Sequence, residues 1–269
     1  MRNNLVLIKM GGSVVTFKDR PESANYSAIE GIARAISLLK EIPMIMVHGG
    51  GSFGHYWSVR YNMHTRPSNY DIHGISIVHE SMINLNQIIV NSLVKNGLNP
   101  YAISVFALTD GNRPLTPKIK QIRTMAQTGL LPVTFGDAIH INDGNYSILS
   151  GDVIMTMIAK ILNPSKVIFA VNTDGVYNDN KGRRTIHELT KADITDNRSV
   201  RFATTSQVIA DITGGMHRKV KEAFKISSKG LDVMIINGLK PEKITQAVRY
   251  GPEDFEGTVI RGRSGRLEK

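Results

Sequence analysis

Two glycine-rich segments directly follow short apolar runs, and their composition is typical of phosphate binding. Gly11, Gly12 and Ser13 follow the run LVLIKM, and HGGGSFGH at 48–55 begins at the end of the run PMIMVH. Glycines after a strand let backbone N–H groups approach a phosphate, and a helix that begins there favours negative charge. One such turn is weak evidence, because turns use glycine for backbone reasons alone. A third cluster, TGGM at 213–216, favours a shared ligand.

Several charged residues near these segments could bind and neutralise phosphates. Lys9 interrupts an apolar run immediately before the first glycine pair, which favours a charge directed at a ligand over an edge residue reaching solvent. Lys18 and Lys219 could act as movable point charges, although a lysine taken alone is more often a solvated surface residue. Asp152 could cap a helix or orient lysines, and Asp174 could be a turn residue or a nucleotide contact.

Other patterns exclude several classes of site. Neither GxxxxGK[ST] nor GxGxxG occurs, so phosphate binding would need a different kind of loop. The chain has no cysteine, which excludes disulfides, thiolate catalysis and cysteine-ligated metals. The histidines outside HGGGSFGH have no metal-ligand spacing with acidic partners. We therefore predict no protein-built metal site.

The charge balance is basic, with 33 lysines and arginines against 23 aspartates and glutamates among 269 residues. It indicates anionic partners, either nucleic acid or phosphorylated metabolites, unless the surface is merely basic. No run of five basic residues and no nucleic-acid-binding motif occurs, so we predict no nucleic acid partner. Apolar runs fall short of the ~18–20 residues of a membrane span, and the first is too short for a signal peptide. We therefore expect a cytoplasmic protein that does not bind a membrane.

Apolar runs and helical periodicity alternate along the chain and would place both glycine segments at strand ends. Buried strands are predicted at 5–10, 43–48, 102–108, 130–135, 166–171 and 231–237, with a last strand in GTVIRG. Helices are predicted at about 29–39, 75–93, 117–128 and 152–162, after the glycine pair at 214–215, and after Pro241. Asp143 and Gly144 predict a hairpin.

This alternation predicts an α/β fold in which a mixed, mostly parallel sheet is sandwiched between helices. Ligands of such sheets bind at the carboxyl ends of the strands, where both glycine segments would lie. No linker rich in proline, glycine or serine divides the chain. We therefore expect one domain over residues 1–269, with an N-terminal lobe of about 1–160 and a C-terminal lobe of about 161–269 sharing one sheet.

The sequence resembles the amino-acid-kinase superfamily and, within it, the archaeal isopentenyl phosphate kinase family. The similarity covers nearly the whole chain and runs through IKMGGS, HGGGSFGH, GISIVHESMINLN, PVTFGD, SGDV, NTDGVY, TGGMHRK and GTVIR. HGGGSFGH is the most specific of these, because a histidine after the glycines marks relatives that accept a phosphate. The resemblance implies an αβα sandwich whose N-terminal lobe binds the acceptor and whose C-terminal lobe binds the nucleotide.

The activity implied by the resemblance is ATP-dependent phosphorylation of isopentenyl phosphate to isopentenyl diphosphate, in an archaeal variant of the mevalonate route. The alternative is a kinase for another small phosphate or phosphonate such as fosfomycin, whose family shares the lysine-GGS start and a comparable glycine–histidine loop. A nucleotide-sensing relative without turnover is a further possibility, and the retention of Lys9, Lys219 and Asp152 argues against it. Relatives are often dimers, so the resemblance also implies a homodimer.

The resemblance assigns roles by motif. Lys9 and Lys219 would bind the ATP phosphates and the transferring group, and Lys18 would neutralise charge. Asp152 would orient the lysines, and His55 would donate a hydrogen bond to the acceptor phosphate. The implied nucleotide site consists of Lys9, Gly11, Gly12, Ser13, Gly51, Asp174, Gly175, Gly214, Gly215 and Lys219. The implied acceptor site consists of Gly49, Gly50, Gly54, His55 and Gly151, with Ile75 and Val78 against the isoprenoid tail.

These residue types suit phosphoryl transfer, which needs positioning and charge neutralisation rather than covalent chemistry. An acceptor phosphate is mostly deprotonated near neutral pH, so His55 is predicted to donate a hydrogen bond rather than to act as a base. Magnesium would arrive with ATP and need no carboxylate cage. Val153 and Asn172 stand where family members usually carry acidic residues. Asp152 alone would therefore organise the lysines.

Overall fold

The computed structural model describes residues 4–177, 184–190 and 210–262. Its strands are β1 (Val6–Met10), β2 (Met44–His48), β3 (Pro100–Ala102), β4 (Thr109–Asp110), β5 (Arg113–Pro114), β6 (Leu131–Phe135), β7 (Asp137–Asn142), β8 (Asn145–Leu149), β9 (Lys166–Val171), β10 (Val176–Tyr177), β11 (Thr185–Ile186), β12 (Glu188–Leu189), β13 (Val233–Asn237) and β14 (Thr258–Ile260). Its helices are α1 (Gly12–Val15), α2 (Tyr26–Ser37), α3 (Gly51–Arg60), α4 (Ile72–Lys95), α5 (Thr116–Gln127), α6 (Gly151–Leu162), α7 (Ala210–Ser227) and α8 (Pro241–Tyr250).

The main sheet confirms the predicted architecture. Its strand order is β12-β14-β13-β9-β1-β2-β6-β3, so strands from both halves of the chain form one sheet and meet at β1 and β9. β14 runs antiparallel to β13, which makes the sheet mixed, whereas the other described pairings in it are parallel. The hairpin predicted at Asp143 and Gly144 is the separate ribbon of β7 and β8.

Helices cover both faces of the sheet because successive strand residues point to opposite sides. Val6, Ile8 and Met10 of β1 pack into a core that includes buried residues of α2, α4 and α8. Leu5 and Leu7 pack into a second core with α5, α6 and α7. The alternation places Lys9 on this second face, beneath α6 and α7.

Local signals explain where the helices near the site begin and end. The Asp71 carboxylate accepts a hydrogen bond from the Gly74 amide at 3.0 Å and caps α4. The Ser150 hydroxyl accepts one from the Val153 amide at 3.4 Å and caps α6. α6 ends at Asn163, whose φ of 49° lies in the left-handed region. Each of these helices therefore begins at a residue able to satisfy its free amides.

The strand predicted over 102–108 is wrong. Only Pro100–Ala102 pairs with β6, and Val105–Leu108 forms a 3₁₀ turn. The Ser104 hydroxyl accepts a hydrogen bond from the Phe106 amide at 3.2 Å, which begins the turn and leaves the Phe106 ring exposed. The apolar run in this segment thus reflects buried side chains in a turn rather than in a strand.

The helix predicted to follow the glycine pair at 214–215 begins earlier, since α7 starts at Ala210 and contains both glycines. The pair is therefore a helical segment and not a loop.

Among the described residues, no helix is both long and apolar enough to cross a membrane.

Candidate active site

The two glycine segments meet at the carboxyl edge of the sheet. Met10 is in register with His48 on one side and with Ala170 on the other, so the loops after β1, β2 and β9 leave the sheet side by side. A Cβ atom at Gly12 would lie 2.2 Å from the amide nitrogen of Gly51, and one at Gly49 would lie 2.7 Å from that of Gly12. The glycines are therefore required by the backbone contact between the two loops.

Backbone hydrogen bonds separate these glycines into two groups. The Gly11 amide donates to the Ala170 carbonyl at 2.8 Å, and the Gly49 amide donates to the Met10 carbonyl at 2.9 Å. In the described part of the chain, no protein acceptor is found for the amides of Gly12 and Gly50. Gly11 and Gly49 thus permit close packing, whereas Gly12 and Gly50 retain donors for an anion.

Lys9 and Asp152 form a buried ion pair between β1 and the first turn of α6. Burial raises the pKa of the Asp152 carboxyl, but the ammonium groups of Lys9 and Lys219 outweigh it and lower that pKa overall. Lys9 Nζ also lies 6.0 Å from the ring centre of Phe169 on β9. A Cβ atom at Gly151 would lie 3.1 Å from Lys9 Cε, so this glycine gives the lysine its space.

Lys219 on α7 brings a second cation to the pair. Its ammonium donates to the Gly215 carbonyl at 3.3 Å within the helix. Burial lowers the pKa of Lys219 to about 8, the nearby charges of Lys9, Arg218 and Lys18 act in the same direction, and Asp152 opposes them. Buried Lys9 and half-buried Lys219 thus share one buried carboxylate, and this excess of positive charge suits a polyanion.

Helix α3 carries the histidine of the second glycine segment. His55 is exposed on this helix, four residues after Gly51 at its start. Cβ atoms at Gly50 or at Gly54 would each lie 2.9 Å from the Met82 sulfur of α4. Met82, a buried residue of α4, therefore supports the glycine turn.

Ile75 and Val78 lie on the first two turns of α4, near this support. Val78 is 1% exposed and Ile75 is half-buried. Val78 and Met82 are buried yet belong to neither of the two cores that cover the sheet faces. The arrangement places apolar side chains of α4 behind the glycine turn.

The loop after β9 contains a polar network. The Ser13 hydroxyl donates to Asn172 Oδ1 at 3.0 Å, so Asn172 links this loop to the first glycine segment. Asp174 Oδ1 accepts from Asn237 Nδ2 at 2.8 Å and from Lys240 Nζ at 2.7 Å. These hydrogen bonds lower the pKa of Asp174, and the hydrogen bond from Lys240 is the main cause.

Glycine at position 175 is required by the backbone. Gly175 has a φ of 144°, and a Cβ atom there would lie 2.6 Å from the Thr258 hydroxyl. The loop of Asp174 and Gly175 is therefore closely packed against β14, on the C-terminal side of the sheet.

Several residues of this region were not identified from the sequence. His48 is fully buried between β1 and β6, its ring stacks on Phe135 at 5.1 Å, and burial lowers its pKa to about 4. His79 Nδ1 lies 2.6 Å from the carboxylate of buried Asp137. The burial of His48 could have been predicted from its place at the end of an apolar strand. No local spacing in the sequence indicates the pairing of His79 with Asp137.

No group of three or more histidines, aspartates and glutamates is placed to bind a metal ion among the described residues. Asp152, the buried carboxylate nearest the lysines, already pairs with Lys9. The donor set therefore fits a divalent cation that arrives with a nucleotide's phosphates and does not fit a protein-built cage.

Comparison with known proteins agrees with this geometry. Residues 4–237 match the model of the Amino acid kinase family. The isopentenyl phosphate kinase of Thermoplasma acidophilum is 34% identical over 96% of this chain and 100% of its own length, and that of Methanothermobacter thermautotrophicus is 28% identical with the same coverage. A crystal structure of the T. acidophilum isopentenyl phosphate kinase product complex matches with a TM-score of 0.75 and 30% identity, covering 96% of this chain and 100% of that one. The chain therefore belongs to the amino acid kinase family and, within it, to the isopentenyl phosphate kinases.

Proposed function

We propose that the protein transfers the γ-phosphoryl group of ATP to the phosphate of isopentenyl phosphate, giving isopentenyl diphosphate and ADP. The observation that carries the proposal is the buried pair of Lys9 and Asp152, with half-buried Lys219 near it, beside two closely packed glycine turns, one of which leads into the helix of His55. The names of its relatives supply the acceptor. Fosfomycin is not favoured as the acceptor, because none of the relatives described above is named as a fosfomycin kinase.

In the proposed reaction, an oxygen of the acceptor phosphate attacks the γ-phosphorus as the bond to the β-phosphate oxygen breaks. Both reactants are anions, so the main task of the protein is to neutralise charge and to align them. Lys9 and Lys219 bind the transferring group, and Lys18 approaches it from the loop after α1. Asp152 fixes the position of Lys9 and so keeps one ammonium directed at the site.

The two substrates are proposed to meet at the boundary between β1 and β9. The acceptor phosphate would contact Gly49, Gly50, Gly54, His55 and Gly151, and its tail would contact Ile75 and Val78. ATP would contact Lys9, Gly11, Gly12, Ser13, Gly51, Asp174, Gly175, Gly214, Gly215 and Lys219. Since Gly214 and Gly215 lie inside α7, they would contribute a close helix surface instead of a loop of free amides. The N-terminal lobe of about 1–160 then binds the acceptor and the C-terminal lobe of about 161–269 the nucleotide.

Three further properties belong to this proposal. Magnesium would enter as Mg-ATP and neutralise phosphate charge, in keeping with the donor set described above. The cytoplasm supplies ATP and is the proposed compartment. A homodimer is supported by the edge of the sheet, where β3 has one neighbour among the described strands and exposes Tyr101, and where α4, which contacts β3, exposes Val94.

The test is a coupled assay that measures ADP release with Mg-ATP and each of three acceptors: isopentenyl phosphate, dimethylallyl phosphate and fosfomycin. We expect turnover of isopentenyl phosphate, and mass spectrometry should identify the diphosphate. Lys9→Ala should lower kcat by ~10²-fold or more with a smaller effect on KM, since its charge acts mainly in the transition state. Turnover of fosfomycin without turnover of isopentenyl phosphate would overturn the assignment.

A further inference from the structure

We propose that Glu22 and Trp57 are positioning residues that fasten the loop of Lys18 to helix α3, the helix of His55. The proposal rests on the proposed function, because it concerns the delivery of Lys18 to the transferring phosphoryl group. It adds two residues from outside the glycine, lysine and histidine motifs. It also links the loop on the nucleotide side of the reaction to the helix on the acceptor side.

The loop between α1 and α2 is closed at its base and carries Lys18 towards its tip. Thr16 and Ala24 form an antiparallel bridge, and the Phe17 amide donates to the Ser23 carbonyl at 2.8 Å. Lys18 is exposed, yet it lies close enough to the site for its charge to contribute to the lowered pKa of Lys219. The position of the tip therefore decides how near this cation comes to Lys219.

Several hydrogen bonds join this loop to Ser52 at the start of α3. The Ser52 amide donates to the Thr16 hydroxyl at 3.0 Å, and the Ser23 amide donates to the Ser52 hydroxyl at 3.1 Å. The Glu22 amide also donates to the Ser52 carbonyl at 3.4 Å, so backbone contacts hold the loop beside the glycine turn as far as Glu22.

A hydrogen bond between two side chains joins Glu22 of the loop to the middle of α3. The Trp57 indole Nε1 donates to Glu22 Oε1 at 2.6 Å. Glu22 is four residues from Lys18, and Trp57 is two residues from His55. This bond to a carboxylate is short and charge-assisted, which makes it stronger than a neutral one.

The backbone of Glu22 supports a role for its carboxylate. Its φ is 48°, in the left-handed region that few residues other than glycine, asparagine and aspartate adopt. Such a conformation persists where the surroundings impose it, and it occurs often at functional sites. Glycine would make the turn without strain, so the turn alone does not account for glutamate. The hydrogen bond to Trp57 does account for it.

The indole is fixed in turn by its own helix. The Trp57 ring packs edge-on against Tyr56 at 5.0 Å and stacks on Tyr61 at 6.3 Å. The Arg60 guanidinium lies 5.5 Å from the centre of the same ring. Trp57 is thus a half-buried donor whose ring is packed on its own helix, suited to holding the loop of Lys18.

The expected effect of Glu22→Ala is a fall in kcat of about three- to tenfold, the range for loss of one exposed charge-assisted hydrogen bond, with the KM for isopentenyl phosphate changed less than twofold. Glu22→Gln keeps an acceptor and should recover most of the loss. Glu22→Gly relieves the strained backbone but lacks the acceptor, so it should remain impaired. Glu41→Ala, an exposed glutamate in a turn after α2, is the matched control and should behave as wild type.

The decisive arm combines Glu22→Ala with Lys18→Ala. If Glu22 acts through Lys18, Glu22→Ala should lower kcat little further once Lys18 has been replaced. The double variant should therefore have the same kcat as Lys18→Ala alone. An equal kcat loss from Glu22→Ala in both backgrounds would overturn the proposal, and so would full activity in Glu22→Gly. Circular dichroism and Tm of each variant show whether it is folded, and Glu22→Gln supplies the comparison if Glu22→Ala is not.

Fluorescence gives a second readout that does not depend on the acceptor. Trp57 is the single tryptophan of the chain, so emission excited beyond the tyrosine band reports on it alone. Mg-ATP should change this emission in wild type and change it much less in Glu22→Ala, and identical changes in both contradict the proposal. A wild-type chain that shows the change but does not turn over isopentenyl phosphate would disprove the proposed acceptor and leave the Glu22–Trp57 link supported.

Discussion

The carboxylate of Asp152 pairs with the ammonium of Lys9, a residue that precedes it by 143 positions in the chain. The exposed fractions of the two side chains are 6% and 5%, so both charges are removed from water. A buried charge is costly unless it is paired, and Lys219 adds a second cation to the same carboxylate. The two cations exceed the one carboxylate near them, and this excess supports the proposed binding of phosphate groups at the site.

Asp152→Asn should lower both stability and kcat. The substitution preserves shape but leaves Lys9 buried without its counter-charge, which typically costs about 3–5 kcal/mol of unfolding free energy. We expect a lower Tm that ATP partly restores, because the phosphates replace the missing charge. Thermal unfolding with and without Mg-ATP tests this, with Asp143→Asn at the exposed hairpin turn as control. An unchanged Tm and kcat would show that the pair does not organise the site.

Lys219 should give the reaction an alkaline limit. Because burial lowers its pKa to about 8, the free protein has the ammonium below that pH and loses it above. We expect kcat/KM for ATP to fall as the pH rises past about 8, since this parameter reports groups of the free enzyme. Lys219→Arg stays charged throughout and should remove the fall, even at a lower absolute rate. A fall that persists in Lys219→Arg would assign the limit to another group.

The order of His55 variants should separate a hydrogen-bond donor from a base. Glutamine and asparagine can donate a hydrogen bond to the acceptor phosphate, whereas alanine and leucine cannot. We therefore expect His55→Gln and His55→Asn to retain clearly more kcat/KM for isopentenyl phosphate than His55→Ala and His55→Leu. Equal losses in all four would indicate that His55 removes a proton.

Shrinking the first turns of α4 should change the preferred length of the acceptor. Replacing both Ile75 and Val78 by alanine enlarges the space proposed for the tail behind the glycine turn. Each additional methylene that a substrate buries there should improve its binding free energy by at most about 0.8 kcal/mol. The ratio of kcat/KM for geranyl phosphate over isopentenyl phosphate should rise in graded fashion. Ile83→Ala, on the exposed side of the same helix, is the control. An unchanged ratio in the folded double variant would place the tail elsewhere.

The pair of His79 and Asp137 should make stability depend on pH. The hydrogen bond to Asp137 is the main cause of the raised pKa of His79, and burial raises the pKa of Asp137. A raised histidine pKa stabilises the fold fully below its unfolded value, and this stabilisation is lost as the pH rises through the folded pKa. The difference in Tm between wild type and His79→Gln should therefore be larger at about pH 6 than at about pH 9.

The control for this measurement is His64→Gln, which alters an exposed histidine on the loop before α4. A Tm difference between wild type and His79→Gln that is the same at both pH values would show that the pair does not contribute through its charge.

The sequence predicted the elements of the fold because their signals are local. Continuous apolar runs marked the central strands, and spacings of three and four marked α2, α4, α5 and α6 within a few residues. The prediction over 102–108 was wrong because an apolar run indicates burial without indicating backbone conformation, and Ser104 turns the chain away from the sheet. The glycines at 214–215 likewise were read as a helix boundary but lie inside α7.

The sequence by itself determined which residues could bind phosphate, because glycines after strands and a lysine within an apolar run signal that chemistry locally. Only the tertiary structure decided which of them meet. It joined Lys9 to Asp152, Glu22 to Trp57 and His79 to Asp137, pairs separated by 143, 35 and 58 residues. It also showed that Met82 supports the glycine turn and that the Gly11 and Gly49 amides are already bonded. Contacts between distant segments depend on strand order and helix packing, and no local pattern in one sequence encodes them.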